Sequence, residues 1–178
     1  MQNVRTTLFD LQPNLRSELL ELRPLLSEDF DDLYRVASDP LIWEQHPSKN
    51  RYEKKEFEKF FHESLESGGS LVVIDSNKNK VIGSSRYHGY NPDRDEVEIG
   101  WSFLARAYWG GIYNKEMKQL MLHHAFKYVN KVIFLVGVHN IRSQRAVLKI
   151  GGIRVGVKPD TNVNESIVYQ ILKSNYIK

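Results

Sequence analysis

Residues 96–138 read EVEIGWSFLARAYWGGIYNKEMKQLMLHHAFKYVNKVIFLVGV, and the changes of pattern inside this stretch decide the fold. From Glu96 to Leu104, Val97, Ile99, Trp101 and Phe103 alternate with Glu96, Glu98, Gly100 and Ser102. That period of two predicts a strand. The glycine pair in Tyr108–Asn114 predicts a turn. A helix is then expected from Lys115 to Val129, with Asn114 as its cap and Met117, Leu120, Met121, Ala125 and Tyr128 on its buried face. Val132 to Val138 is an apolar run broken only by Gly137, which suits a strand buried on both faces. Strand, turn, helix, strand is a βαβ unit, so its two strands should run parallel.

Upstream, the Leu-rich segment from Glu18 to Leu26 predicts a strand ending near Pro24, and Ser27-Glu28-Asp29 predicts a helix start with Ser27 as N-cap. Phe30, Leu33, Tyr34 and Ala37 give that helix one apolar face, and Pro40 is expected to end it. A second helix carries Phe57, Phe60, Phe61 and Leu65 and stops at Gly68-Gly69. Strands at Ser70–Asp75 and Lys80–Tyr87 join Glu96–Leu104 in an antiparallel meander. Downstream, Asn140 and Ser143 open a short helix ending at Gly151-Gly152, before strands at Ile153–Lys158 and Ser166–Lys173. The order β-αα-βββ-α-β-α-ββ predicts an α/β (α+β mixed) sheet rather than a doubly wound one.

The chain has 178 residues, one domain's worth, and residues 1–17 read as an N-terminal extension. A formal charge of +3 without a basic stripe argues against nucleic-acid binding. The absence of cysteine excludes disulfides, thiolate metal sites and a cysteine nucleophile. No H-E-x-x-H spacing suggests zinc, so no metal is expected. Met1–Pro13 lacks the apolar run of a signal, and no 18-residue apolar stretch predicts a membrane span. A cytoplasmic protein is the expectation.

Two features could carry chemistry. Helix N-termini leave backbone N–H groups free and favour anions, and Gly110-Gly111 would let a phosphate approach the backbone. The same pair could serve only as a turn. Glu98 is a candidate general base, with Glu96 as the fallback. The competing reading is a solvated strand face paired with Arg86 or Arg94.

Three segments in this order resemble the GCN5-related N-acetyltransferase (GNAT) superfamily, with most similarity to its Rim-type branch of ribosomal-protein N-terminal acetyltransferases. They are Glu98-Ile99-Gly100-Trp101, then Tyr108 to Glu116, then His139-Asn140-Ile141-Arg142-Ser143 through Gly152. The resemblance covers about Glu18 to Tyr176 and implies acetyl transfer from acetyl-CoA to an amine. Trp109, Ile112 and Asn114 stand where the family turn usually has Gln/Arg, Gly and a small residue.

On that resemblance, Trp109, Gly110, Gly111, Ile112, Tyr113, Asn114 and Lys115 would hold the CoA pyrophosphate. Ser102, Phe103 and Leu104 would splay from the strand after Val132 to admit pantetheine, and Asn140 would bond that arm. Glu98 would be the base. Ser143 would be the acid that reprotonates the thiolate, or only a pantetheine contact. Arg142 and Arg145 could meet the CoA 3′-phosphate, while Tyr169 favours core packing. The implied activity is direct transfer to a primary amine, either a protein N-terminus or a small amine, with a homodimer left open. The alternative is a non-catalytic CoA-binding or regulatory module of the same fold.

Overall fold

The computed structural model describes residues 8–159 and 165–176. It contains an eight-stranded sheet in the order β1-β2-β3-β4-β5-β6-β8-β7. The strands are β1 (Leu15–Arg16), β2 (Leu20–Pro24), β3 (Ser70–Asp75), β4 (Lys80–Asn91), β5 (Glu96–Leu104), β6 (Lys131–Gly137), β7 (Ile153–Pro159) and β8 (Glu165–Leu172). The helices are α1 (Phe30–Ala37), α2 (Pro40–Trp43), α3 (Lys54–Glu66), α4 (Tyr113–Ala125), α5 (Ile141–Lys149) and α6 (Lys173–Tyr176). The expected mixed α/β class is borne out. β3, β4 and β5 form the antiparallel meander, and β5 and β6 form the one parallel pair among the described residues.

Apolar side chains cover both faces of the sheet. On one face Met117, Met121, Leu122 and Ala125 of α4 pack with Val97, Ile99, Val132 and Phe134. On the other, Leu33, Phe57, Phe60 and Phe61 from α1 and α3 pack with Val72 and Phe103. Phe9 from the expected N-terminal extension is buried in the α4-side core; residues 1–7 lie outside the described residues.

Several local expectations are corrected. Ser27 is not the N-cap: the Asp29 carboxylate accepts from the Leu26 N–H and holds the Arg23 guanidinium through two bonds of 2.7 and 2.8 Å. Pro40 does not merely end α1 but opens α2, where its missing N–H costs nothing and Asp39 caps the turn. α4 begins at Tyr113 and ends at Ala125, so Asn114 lies inside its first turn and is not its cap. β6 is buried on alternate residues only, and its more open face lines a cleft.

The alternation of β5 also breaks. Trp101 has φ 51°, a left-handed conformation rare for a bulky residue, and the register to β4 shifts there. Val97 and Ile99 therefore face α4, while Trp101 and Phe103 join the core of α1 and α3. This bulge coincides with the place where β5 and β6 part: they pair only over Glu96–Lys131, Val97–Val132 and Glu98–Ile133.

Candidate active site

Where β5 and β6 separate, a cleft of about 590 Å³ opens between them. Glu98, Gly100, Trp101 and Ser102 line it from β5, Leu135 and Gly137 from β6, and Lys118 from α4. Asn140 and Ser143 line it from the start of α5. His46, Ser48 and Arg51, together with Glu63 of α3 and Lys158 of β7, form its other end.

Glu98 is 9% exposed and makes no ion pair among the described residues. Burial pushes its carboxyl up to about 7, although Lys158 and Arg86 pull the other way. A Cβ on Gly100 would sit 3.2 Å from Glu98 Oε1, so the glycine leaves room for this carboxylate. The two arginines that the sequence offered as partners are engaged elsewhere. Arg94 pairs with Glu96, while Arg86 donates to Ser70 Oγ at 3.0 Å and Ser64 Oγ at 2.6 Å. Glu96 is bound by Arg94 and Lys131, each at 2.8 Å, and does not line the cleft.

Ser102 is open to the cleft, and its hydroxyl lies 2.7 Å from that of Ser85. Phe103 and Leu104 are buried in opposite cores, so their side chains are not offered to a ligand. Asn140 caps α5, its Oδ1 accepting from Ser143 N at 3.2 Å. That leaves its side-chain amide and the Ser143 hydroxyl on the cleft.

The glycine turn lies just beyond. Among the described residues, no acceptor takes the backbone N–H groups of Gly110, Gly111, Ile112, Tyr113, Asn114 and Lys115. Gly110 has φ 71°, and a Cβ built on either glycine meets nothing within 4 Å. Ile112 is 58% exposed and turned outward. Unpaired donors at a helix start, with open space before them, suit a pyrophosphate. Trp109 has a bracing position instead: its Nε1 donates to the Leu104 carbonyl and its ring carries the Arg142 guanidinium at 3.9 Å. Arg142 also donates to the Ile42 carbonyl, so it ties α5 to α2. Arg145 remains exposed. Tyr169 is in the core.

The structure thus brings Glu98, Ser102, Asn114, Asn140 and Ser143 to one cleft. It leaves Phe103, Leu104, Trp109, Gly110, Gly111, Ile112, Tyr113 and Lys115 off its walls. Sequence reasoning missed His46, Arg51, Glu63 and Lys118. Burial and the nearby Arg51 push His46 down to about 3, so it is neutral, with Nδ1 accepting from Ser48 N. Arg51 lies over the Phe60 ring at 4.2 Å, and burial lowers it to about 10. Lys118 shares its helical spacing with Leu122 and Ala125, and a lysine on an apolar face was the signal for it.

No group of three or more His, Asp or Glu side chains among the described residues is placed to share a metal. No described helix is long and apolar enough to cross a membrane.

A family model for the acetyltransferase (GNAT) domain matches residues 20–153. Comparison with curated proteins gives no match. Among solved structures, a GCN5-related N-acetyltransferase from Brucella melitensis superposes with a TM-score of 0.80 at 18% identity, over 93% of this chain and 80% of that one. Spermidine N-acetyltransferase from Vibrio cholerae, in complex with CoA and spermine, gives 0.69 at 17% identity, over 91% and 100%. Mycobacterium smegmatis RimJ in complex with CoA-disulfide gives 0.68 at 16% identity, over 94% and 89%. At these identities the likeness is one of fold. With the family model spanning most of the sequence, the chain belongs to the GNAT acetyltransferase family and is an acyltransferase.

Proposed function

We propose that this acyltransferase moves acetyl from acetyl-CoA directly to a primary amine, a protein N-terminus or a small amine, within the Rim-type branch. The observation that carries the reading is Glu98: a buried carboxyl with no ion pair among the described residues, at the point where the parallel strands part, poised near neutrality. A base tuned to the working pH is what an ammonium acceptor needs before it can attack.

The backbone N–H groups from Gly110 to Lys115 would hold the pyrophosphate. Ser102, Asn140 and the backbone of Phe103 and Leu104 would hold pantetheine. Ser143 would stand by the sulfur as hydrogen-bond donor and candidate acid. Acetyl-CoA supplies the activated acetyl group. Glu98 takes a proton from the acceptor ammonium and frees its lone pair. The cleft holds acceptor and thioester together, which can supply much of the rate. The CoA complexes of the spermidine and RimJ relatives support a CoA reading for this fold.

Calorimetric titration with acetyl-CoA, followed by thiol-release assays over a panel of N-terminal peptides and small amines, tests this. Micromolar binding with release is expected. No binding would overturn the proposal, and binding without release on any acceptor would favour the non-catalytic module.

A further inference from the structure

Lys118 is a buried cation without a counter-charge among the described residues. Its side chain rises from α4 to the floor of the cleft and is 6% exposed. It forms no ion pair among the described residues. Its acceptors there are two hydroxyls, Ser102 Oγ and, at 3.4 Å, Ser85 Oγ. An ammonium has three N–H donors, so one is left over. The Phe134 ring lies 5.6 Å away on the β6 side. Uncompensated ammonium in such a place is costly, and a protein interior keeps few of them without use. Burial alone lowers its pKa to about 7; none of the charged groups of the cleft, Glu98, Lys158, Arg51 and Glu63, contributes.

Glu98 and Lys118 line this one cleft, one carboxyl and one amine, with Ser102 beside the lysine and open to the cavity. Ser143, by contrast, has no charged group bonded to its hydroxyl among the described residues, and its backbone N–H donates to Asn140 Oδ1. Resting on the reading of the cleft as an acetyl-CoA site, we propose that Lys118 is the charge partner and proton source for the CoA sulfur, with Ser102 handing the proton on.

The step balances. The acceptor nitrogen's lone pair forms the C–N bond, the C–S bond breaks, and its electron pair stays on sulfur. Lys118 gives a proton to Ser102 Oγ as that hydroxyl passes its own to the sulfur. The acceptor nitrogen sheds two protons over the cycle. One makes good the proton lost by Lys118 and the other leaves to water by way of Glu98.

The test uses reduced CoA and needs no acceptor. The thiol of bound CoA is titrated through its ultraviolet thiolate absorbance in the wild type and in Lys118→Met, with free CoA alongside. In the wild type the bound thiol should ionise about 1–3 units below free CoA, the size of effect a nearby opposite charge produces. In Lys118→Met, CoA should still bind by calorimetry and the downward shift should vanish. Equal titration in both proteins would overturn the role of Lys118. Failure of the wild type to bind CoA at all would sink the functional reading instead.

A measurement on the wild type alone guards against a variant that does not fold. Linkage is reciprocal, so the ionised thiolate of bound CoA must raise the Lys118 pKa by as much as protonated Lys118 lowers that of the thiol. NMR titration of labelled lysine side chains with and without CoA should show one strongly depressed lysine moving up. No lysine moving would also overturn the proposal.

Discussion

Glu96 and Glu98 stand two residues apart on the same strand and meet opposite fates. Glu96 is held between Arg94 and Lys131, each at 2.8 Å, outside the cleft. Glu98 lies in the cleft, buried, with no ion pair among the described residues. A paired carboxylate serves stability, whereas an unpaired, desolvated one is free to exchange a proton near neutral pH.

Glu98→Gln should lower kcat by about 10²–10⁴-fold, the usual scale for loss of a general base. The ionised form is the base, so wild-type activity should rise with pH through about 7, and this limb should be absent from the variant. Stability should move oppositely. The folded pKa lies above the ordinary value of 4.5, so the stability Glu98 contributes is lost as pH rises towards 7. Between those values the variant should gain on the wild type by about 3 kcal/mol, read by denaturant melts at a series of pH values.

Glu96→Gln makes the contrast. It should leave kcat within about threefold, since nothing in the cleft changes, and cost about 1 kcal/mol from two ion pairs with partly exposed partners. A loss of kcat matching that of Glu98→Gln would move the base to Glu96.

Gly111→Glu tests the turn. A Cβ there meets no atom within 4 Å and opens on free space, so Tm should hold. A carboxylate among the free N–H groups should weaken acetyl-CoA binding by about tenfold or more through like-charge repulsion, as measured by calorimetry.

Lys118→Met should change the pH dependence of stability. The lysine's folded pKa, about 7, lies below its ordinary 10.5. The stability it contributes is therefore present at high pH and lost as pH falls through 7. The variant should gain on the wild type by about 4 kcal/mol between pH 10 and pH 6 in denaturant melts. A constant gap would show that Lys118 is not desolvated in solution.

Phe9→Ala should cost about 3 kcal/mol, because this ring is core and not tail. Its centroid lies 4.9 Å from Tyr128, 5.2 Å from Tyr87, 5.3 Å from Tyr90 and 5.5 Å from His124. A thermal melt unchanged from the wild type would show that the segment does not dock.

Much of this molecule was legible in order along the chain. Apolar periodicity is a local signal, so Ser70–Asp75, Glu96–Leu104 and the βαβ unit could be read directly, and with them the parallel pair. Asn140 as the cap of α5 and the glycine turn before α4 also follow from neighbours in sequence. What the sequence could not decide was anything set by distant partners. The bulge at Trp101 arises from pairing with β4 and reverses the faces that simple alternation assigned. Arg94 and Lys131 chose Glu96 over Glu98 only once β5 and β6 lay side by side. Lys118 stands on the apolar stripe of α4 with Leu122 and Ala125, a hint its spacing carries, but only the closed sheet sets it against Ser85 and Ser102, because burial is a property of the whole packed chain.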